Sequence, residues 1–194
     1  QSDKTGGKPV ITVTLEPLRY FTEAIAGDRF TVVSMVPKGT SPETYDPTPQ
    51  QLVDLARSKA YFRIGYIGFE QTWTDKLTDN APHLQFFDMS QGVDLIYDNT
   101  HSHRHAEDGK EHHHATGVEP HIWNSATNAQ IIAGNILSAL CSIDKNNESA
   151  YLERYNALCR QIEHTDSLIR QTLTAPGADH AFMIYHPALS YFAR

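Results

Sequence analysis

A chain of 194 residues, 40% hydrophobic and 20% charged, holds enough apolar material for a packed core in one domain or two small ones. Its formal charge of −7, without any run of Lys and Arg, excludes a phosphate-gripping, nucleic-acid-binding role and suits a cationic ligand. No unbroken apolar run approaches the roughly 18 residues that cross a bilayer, and the start QSDKTGGKPV lacks the basic region and apolar stretch of a signal peptide, so any export signal is expected to have been removed or never to have existed.

Residues 1–8 read as a flexible polar lead, of the kind that follows a cleavage site or a lipid-anchored residue. From there the chain alternates. PVITVT (9–14), FTVVSMV (30–36), AYFRIGYI (60–67), HLQFFDM (83–89) and VDLIY (93–97) are short, rich in β-branched and aromatic residues and bounded by turn formers, which predicts strands. Between them, EPLRYFTEAIAG (16–27) carries apolar residues at helical spacing and stops at a glycine. TPQQLVDLARS (48–58) opens with Thr48 as N-cap and Pro49 at the first helical position, and GFEQTWTDKLTDN (68–80) is a third helix. Strands alternating with helices imply an α/β fold with a mostly parallel sheet flanked by helices, here an N-terminal lobe over 9–123.

After the last strand comes DNTHSHRHAEDGKEHHHATGVEPHIW (98–123), which holds seven of the eleven histidines. Next, SATNAQIIAGNILSALCSI (125–143) predicts an amphipathic helix, placed with its flanks (124–147) in the first lobe, and 148–175 predicts a long connecting helix of near 40 Å at about 1.5 Å per residue. Cys141 and Cys159 are 18 positions apart, about 27 Å if one helix ran through both, too far for a disulfide. They read as core residues. Residues 176–194 restart the βα pattern, with AFMIY as a buried strand and PALSYFAR as a helix. One strand and one helix cannot close a core, so this is expected to be the start of a second similar lobe whose remainder lies beyond Arg194.

Neutral imidazole is a good zinc ligand at physiological pH. His101, His103, His105, His112, His113 and His114 surround an acidic, Gly-containing spacer. Such a segment can chelate a metal adaptably, but nothing in its composition builds a fixed tetrahedral cage, so weak auxiliary capture is expected. His121 differs, being set by Pro120 just before a helix start. His186 follows the predicted strand AFMIY, at the end where open α/β sheets place ligands. A third strand-end loop, PKGTSPETYDPTPQQL (37–52), presents Glu43 and Asp46.

Three stretches in order, VTLEPLRYFTEAIAGDRFTVVSMVPKGTSPETYDPTPQQLVDLARSKAYFRIG, GVEPHIWNS and FMIYHPALSYFAR, resemble the zinc-specific solute-binding proteins of bacterial ABC importers, from Pro9 onward. The resemblance implies two α/β lobes joined by a long helix, a metal site in the cleft between them, and often a His-rich acidic loop beside it. The family's first-lobe motif reads Pro-His-x-Tyr/Trp-Glu-Pro. Here it is Pro42-Glu43-Thr44-Tyr45-Asp46-Pro47, which puts Glu43 where the first histidine ligand is expected. His121 matches the second ligand and His186 the third, and a fourth would lie beyond Arg194. Either Glu43 serves as an oxygen ligand or water fills that position. Carboxylate oxygen suits Mn²⁺ as well as Zn²⁺, whereas two imidazoles favour zinc.

The implied function is an extracytoplasmic or periplasmic protein, lipid-anchored or free, that captures Zn²⁺ and delivers it to a cognate ABC permease in the inner membrane, acting as a monomer when full length. Alternatives are a manganese-specific or adhesin-type member of the family, a stand-alone metal buffer, or a zinc hydrolase. For the last, no H-E-x-x-H or H-x-E…C-x-x-C pattern is present, so the protein is expected not to be an enzyme.

Overall fold

The computed structural model describes residues 7–97, 117–179 and 181–194. Four strands, β1 (Val10–Val13), β2 (Thr31–Ser34), β3 (Ala60–Arg63) and β4 (Gln85–Asp88), form one parallel sheet in the order β2-β1-β3-β4. The crossovers are α1 (Glu16–Ala26), α2 (Pro49–Leu55) and α3 (Gly68–Asn80). A parallel sheet is covered on both faces, so its inner strands read as continuous apolar runs. Accordingly Ile11, Thr12 and Val13 of β1 and Ala60, Tyr61 and Phe62 of β3 are all buried, while the outer strands β2 and β4 are partly exposed. The fold class inferred from the alternating pattern is the one observed.

The cap expected for α2 is present: the Thr48 hydroxyl accepts from the Gln51 amide, and the Gln51 side chain accepts in return from Thr48 N, a reciprocal capping box. Past the sheet, α4 (Ala126–Ile143) starts at Ser125, whose hydroxyl accepts from Asn128 N. A 3-10 turn follows (Lys145–Asn147), then α5 (Glu148–Leu173), about 39 Å long at 1.5 Å per residue. The helices α1, α4 and α5 pack on one another, with Ile132, Ala133, Ile136 and Leu140 of α4 fully or almost fully buried.

Several expectations are corrected. Residues 93–97 form no strand beyond a single antiparallel bridge between Tyr97 and Val118. Their backbone is instead used by Glu119 N, which donates to Ile96 O, and by the Tyr191 hydroxyl. AFMIY is not a buried strand: Met183 and Tyr185 are almost wholly exposed, because a strand is stable only with a neighbour to pair with, and no strand among the described residues lies beside it. PALSYFAR shortens to α6 (Ser190–Ala193). Finally, α4 does reach bilayer-spanning length and mean hydropathy, 1.2 over its 18 residues. It packs on both α1 and α5 and buries Ala129, Ile132, Ala133, Ile136, Ala139 and Leu140 there, which accounts for its apolar character. Cys141 and Cys159 sit on separate helices, both free and part-buried; Cys141 packs against the edge of the core, whereas Cys159 is not among the residues that do.

Candidate metal centre

Two of the histidines singled out in the sequence meet. His121 Nε2 and His186 Nε2 are 3.0 Å apart, with the rings edge to face and centroids 4.8 Å apart. They arrive from chain segments 65 positions apart. His121 caps a 3-10 turn (Ile122–Asn124) that leads into α4, is 9% exposed, and packs edge-on against Trp123 with ring centroids 5.3 Å apart. His186 precedes Pro187, and its carbonyl accepts from Ala188 N at 2.7 Å, a tight three-residue turn that aims the side chain.

The orientation of His121 is set by a residue that sequence reasoning missed. One oxygen of Glu119, Oε1, accepts from His121 Nδ1 in a close hydrogen bond and from the His121 backbone amide at 3.1 Å. A carboxylate that accepts a hydrogen bond from Nδ1–H fixes the tautomer and leaves the Nε2 lone pair outward, the arrangement by which carboxylates back metal-binding histidines. With His121 in that tautomer, a hydrogen bond between the two Nε2 atoms would take its proton from His186. Two imidazoles on one tetrahedral Zn²⁺, with Zn–N at about 2.0–2.1 Å, stand about 3.3–3.4 Å apart. The pair therefore lies within about 0.4 Å of the spacing at which a metal ion would replace that proton. A signal was available in Glu119-Pro120-His121: a side-chain oxygen that bonds the amide two residues on is a common turn device.

Glu43 is placed differently. Its Oε2 accepts from Gly68 N at 3.2 Å, at the first residue of α3, and Pro42 O accepts from Phe69 N at 2.9 Å. A side chain at position 68 would put its Cβ 2.5 Å from Glu43 Oε2 and 2.9 Å from Glu43 O, so glycine is required for this approach. Asp46 accepts from Trp73 Nε1 at 3.1 Å. The loop is thus docked on the N-terminus of α3, where partial positive charge favours a carboxylate. Among the described residues no three His, Cys, Asp or Glu side chains stand at metal-binding spacing, so Glu43 is not gathered with the histidine pair. His101, His103, His105, His112, His113 and His114 lie outside the described residues.

Beside Glu43 is a second carboxylate that the sequence reading passed over. Glu70 is 2% exposed. Its Oε1 accepts from the Thr14 hydroxyl at 2.6 Å and from Ile64 N at 2.8 Å, and its Oε2 from Gly65 N and, at 3.4 Å, Ile67 N. Thr14 follows β1 and Ile64 follows β3, so Glu70 ties together the carboxyl ends of the two strands between which the strand order reverses, the usual ligand crevice of such sheets. Here a buried side chain fills it. Burial pushes the Glu70 carboxyl above the ordinary carboxylate range, while Thr14 and the three amides pull it back.

A family profile described as zinc-uptake complex component A, periplasmic, matches residues 11–194. Among solved structures, a zinc-bound deletion mutant of ZnuA is similar over 96% of this chain and 66% of its own, with 32% identity and a TM-score of 0.83. The manganese ABC transporter substrate-binding lipoprotein PsaA of Streptococcus mitis is 27% identical over 197 residues, 98% of this chain and 60% of the relative. The iron ABC transporter substrate-binding lipoprotein MtsA of Streptococcus pyogenes serotype M1 is 32% identical over 162 residues, 80% and 48%. The chain thus spans about half to two thirds of the length of these relatives.

Proposed function

The chain belongs to the family of periplasmic zinc-uptake component A proteins, and from that premise we propose that it captures a divalent transition metal outside the inner membrane and hands it to an ABC permease. The observation that carries this reading is the histidine pair, two facing Nε2 atoms 3.0 Å apart with His121 locked by Glu119. Imidazole nitrogens favour zinc over manganese, so Zn²⁺ is the proposed cargo. Glu43 sits on the Gly68 amide and apart from the pair, so its role as an oxygen donor is proposed for the metal-loaded protein only. The histidines of 101–114 are proposed as a weak auxiliary site. Residues 9–147 would form one lobe, α5 the connection, and 176–194 the start of a second lobe.

Manganese is the second reading, since it gains from the carboxylate at position 43 and from the relative named for that metal. A binding role, with extracytoplasmic location and a permease as partner, is supported by the names of the relatives, which are substrate-binding lipoproteins of ABC transporters. Nothing in those names favours a hydrolase.

The test is competitive titration of this chain with Zn²⁺ and Mn²⁺ against a chelator. His121→Ala and His186→Ala should each weaken tight Zn²⁺ binding by orders of magnitude. His83→Ala should leave it unchanged, because His83 Nε2 is engaged with Ala56 O at 2.8 Å on the surface. Equal losses from all three variants would sink the assignment.

A further inference from the structure

His186 poses a mechanical question. The segment before it, 181–185, pairs with no strand among the described residues, and Met183 and Tyr185 are almost wholly exposed. Its Phe182 ring packs edge-on against Phe192 of α6, with centroids 6.3 Å apart, so this segment too is held through the residues that follow His186. Those residues are tied to the His121 side of the site at two places. Asn124 Nδ2 donates to Ala188 O at 2.8 Å. The hydroxyl of Tyr191, a residue only 5% exposed, accepts from Ile96 N at 3.0 Å and donates to Glu119 O at 2.8 Å. Ile96 and Glu119 are themselves joined, Glu119 N donating to Ile96 O at 2.9 Å. One phenol thus closes a three-way junction of the chain at 96–97, the chain at 118–121 and α6.

We propose that Tyr191 is a positioning residue for the histidine pair: its hydroxyl fixes the His186 segment against the backbone of Glu119, the residue that orients His121. The inference rests on the reading of that pair as the metal site. Holding both ligands in place before the metal arrives removes ordering cost from the binding step. The hydroxyl touches neither imidazole, so its effect on metal must pass through the relative placement of the two rings. Outer groups that orient metal ligands are typically worth about 10–100-fold in affinity, and a group one step further out belongs at the lower end.

The experiment is a double-mutant cycle on Zn²⁺ affinity, with wild type, Tyr191→Phe, His186→Ala and the double variant, fold checked by circular dichroism. Phenylalanine keeps the buried ring and removes only the hydroxyl. Tyr191→Phe should weaken binding about 10-fold with His186 present, and less than about twofold once His186 is gone, since there is no longer a second ring to place. Equal losses in both backgrounds, or no loss in either, would overturn the positioning role. A second readout needs no metal. In the metal-free protein the imidazole nitrogen resonances of His121 and His186 should shift together when Tyr191 becomes Phe, because the Nε2–Nε2 hydrogen bond loosens. Unchanged resonances would also overturn the proposal. If His186→Ala leaves Zn²⁺ affinity intact, the metal-site reading fails by itself, and the nitrogen resonances still decide whether Tyr191 sets the geometry of the pair.

Discussion

The two carboxylate-bearing corners of the molecule treat their polar groups in opposite ways. At the carboxyl edge of the sheet, Glu70 is saturated by the Thr14 hydroxyl and three backbone amides, and Glu43 Oε2 is engaged by Gly68 N. At the corner of the 3-10 turn, Glu119 instead spends its oxygen on a histidine, and that histidine turns a lone pair toward another. The first arrangement is closed and holds strands together. The second keeps one nitrogen face directed at something that can be exchanged, since a proton between two imidazoles can be replaced by a metal ion. A carboxylate near a crevice is therefore no better a ligand candidate than its hydrogen bonds allow, and a histidine is as good as the group behind it.

That contrast predicts variants whose effects separate stability from metal affinity. Glu70→Gln should cost about 3 kcal/mol of stability, because the amide NH₂ must face donors where an acceptor oxygen stood and a buried network is broken. Its effect on Zn²⁺ affinity should be small. Chemical denaturation and chelator competition on the same sample check both halves, and a large affinity loss without destabilisation would erase the distinction. Glu119→Ala should do the reverse, weakening Zn²⁺ binding about 10–100-fold at modest cost in stability. Gly68→Ala should cost about 1–3 kcal/mol by forcing the Glu43 loop away from α3, with the Cβ only 2.5 Å from Glu43 Oε2. If Glu43 contributes a ligand atom from that loop, the same variant also lowers metal affinity. If water fills the position, affinity holds. Glu43→His, which restores the residue the family motif leads one to expect, should shift preference from Mn²⁺ toward Zn²⁺, read as the ratio of the two dissociation constants.

Much of the fold was legible because local signals agreed with it. The continuous apolar runs of β1 and β3, the Thr48–Pro49 start of α2 and the stop of α1 at Gly27 all follow from propensity and sterics, and the family resemblance stands on the match over residues 11–194. VDLIY and AFMIY misled because β propensity reports a side chain's fit to a pleated surface and not the existence of a partner strand. At the site, His121 and His186 could be named from their motifs. Glu119 stands only two positions before His121. Tyr191 could not be named, since it acts through a hydroxyl that reaches backbone atoms 72 and 95 positions away. Tertiary bonds of that span leave no periodic trace. Glu70 sat unnoticed inside a helix pattern as an ordinary first-turn acid.

The smallest predicted effect concerns pH and sharpens the contrast between closed carboxylates further. Burial raises the Glu70 carboxyl above its ordinary value, about 4.3 in an unfolded chain. Between that value and the raised one the folded protein holds more protons than the unfolded chain, so the slope of unfolding free energy against pH is negative. The contribution of Glu70 is full below the ordinary range and is lost as pH rises through the raised value. Asp144 behaves oppositely. The Tyr151 hydroxyl donates to it at 2.6 Å at the α4–α5 corner, and that bond, with Asn147 and Arg29 nearby, holds its carboxyl below the ordinary range. Its contribution is present above an unfolded value of about 3.9 and disappears as pH falls through the lowered one. Urea denaturation of metal-free protein at a series of pH values should thus show the stability gap between wild type and Asp144→Asn closing toward acid, while the gap for Glu70→Gln widens toward acid. Parallel gaps for the two variants would mean that the buried acid ionises as freely as the surface one, and that the strand-end corner is wetter than its hydrogen bonds imply.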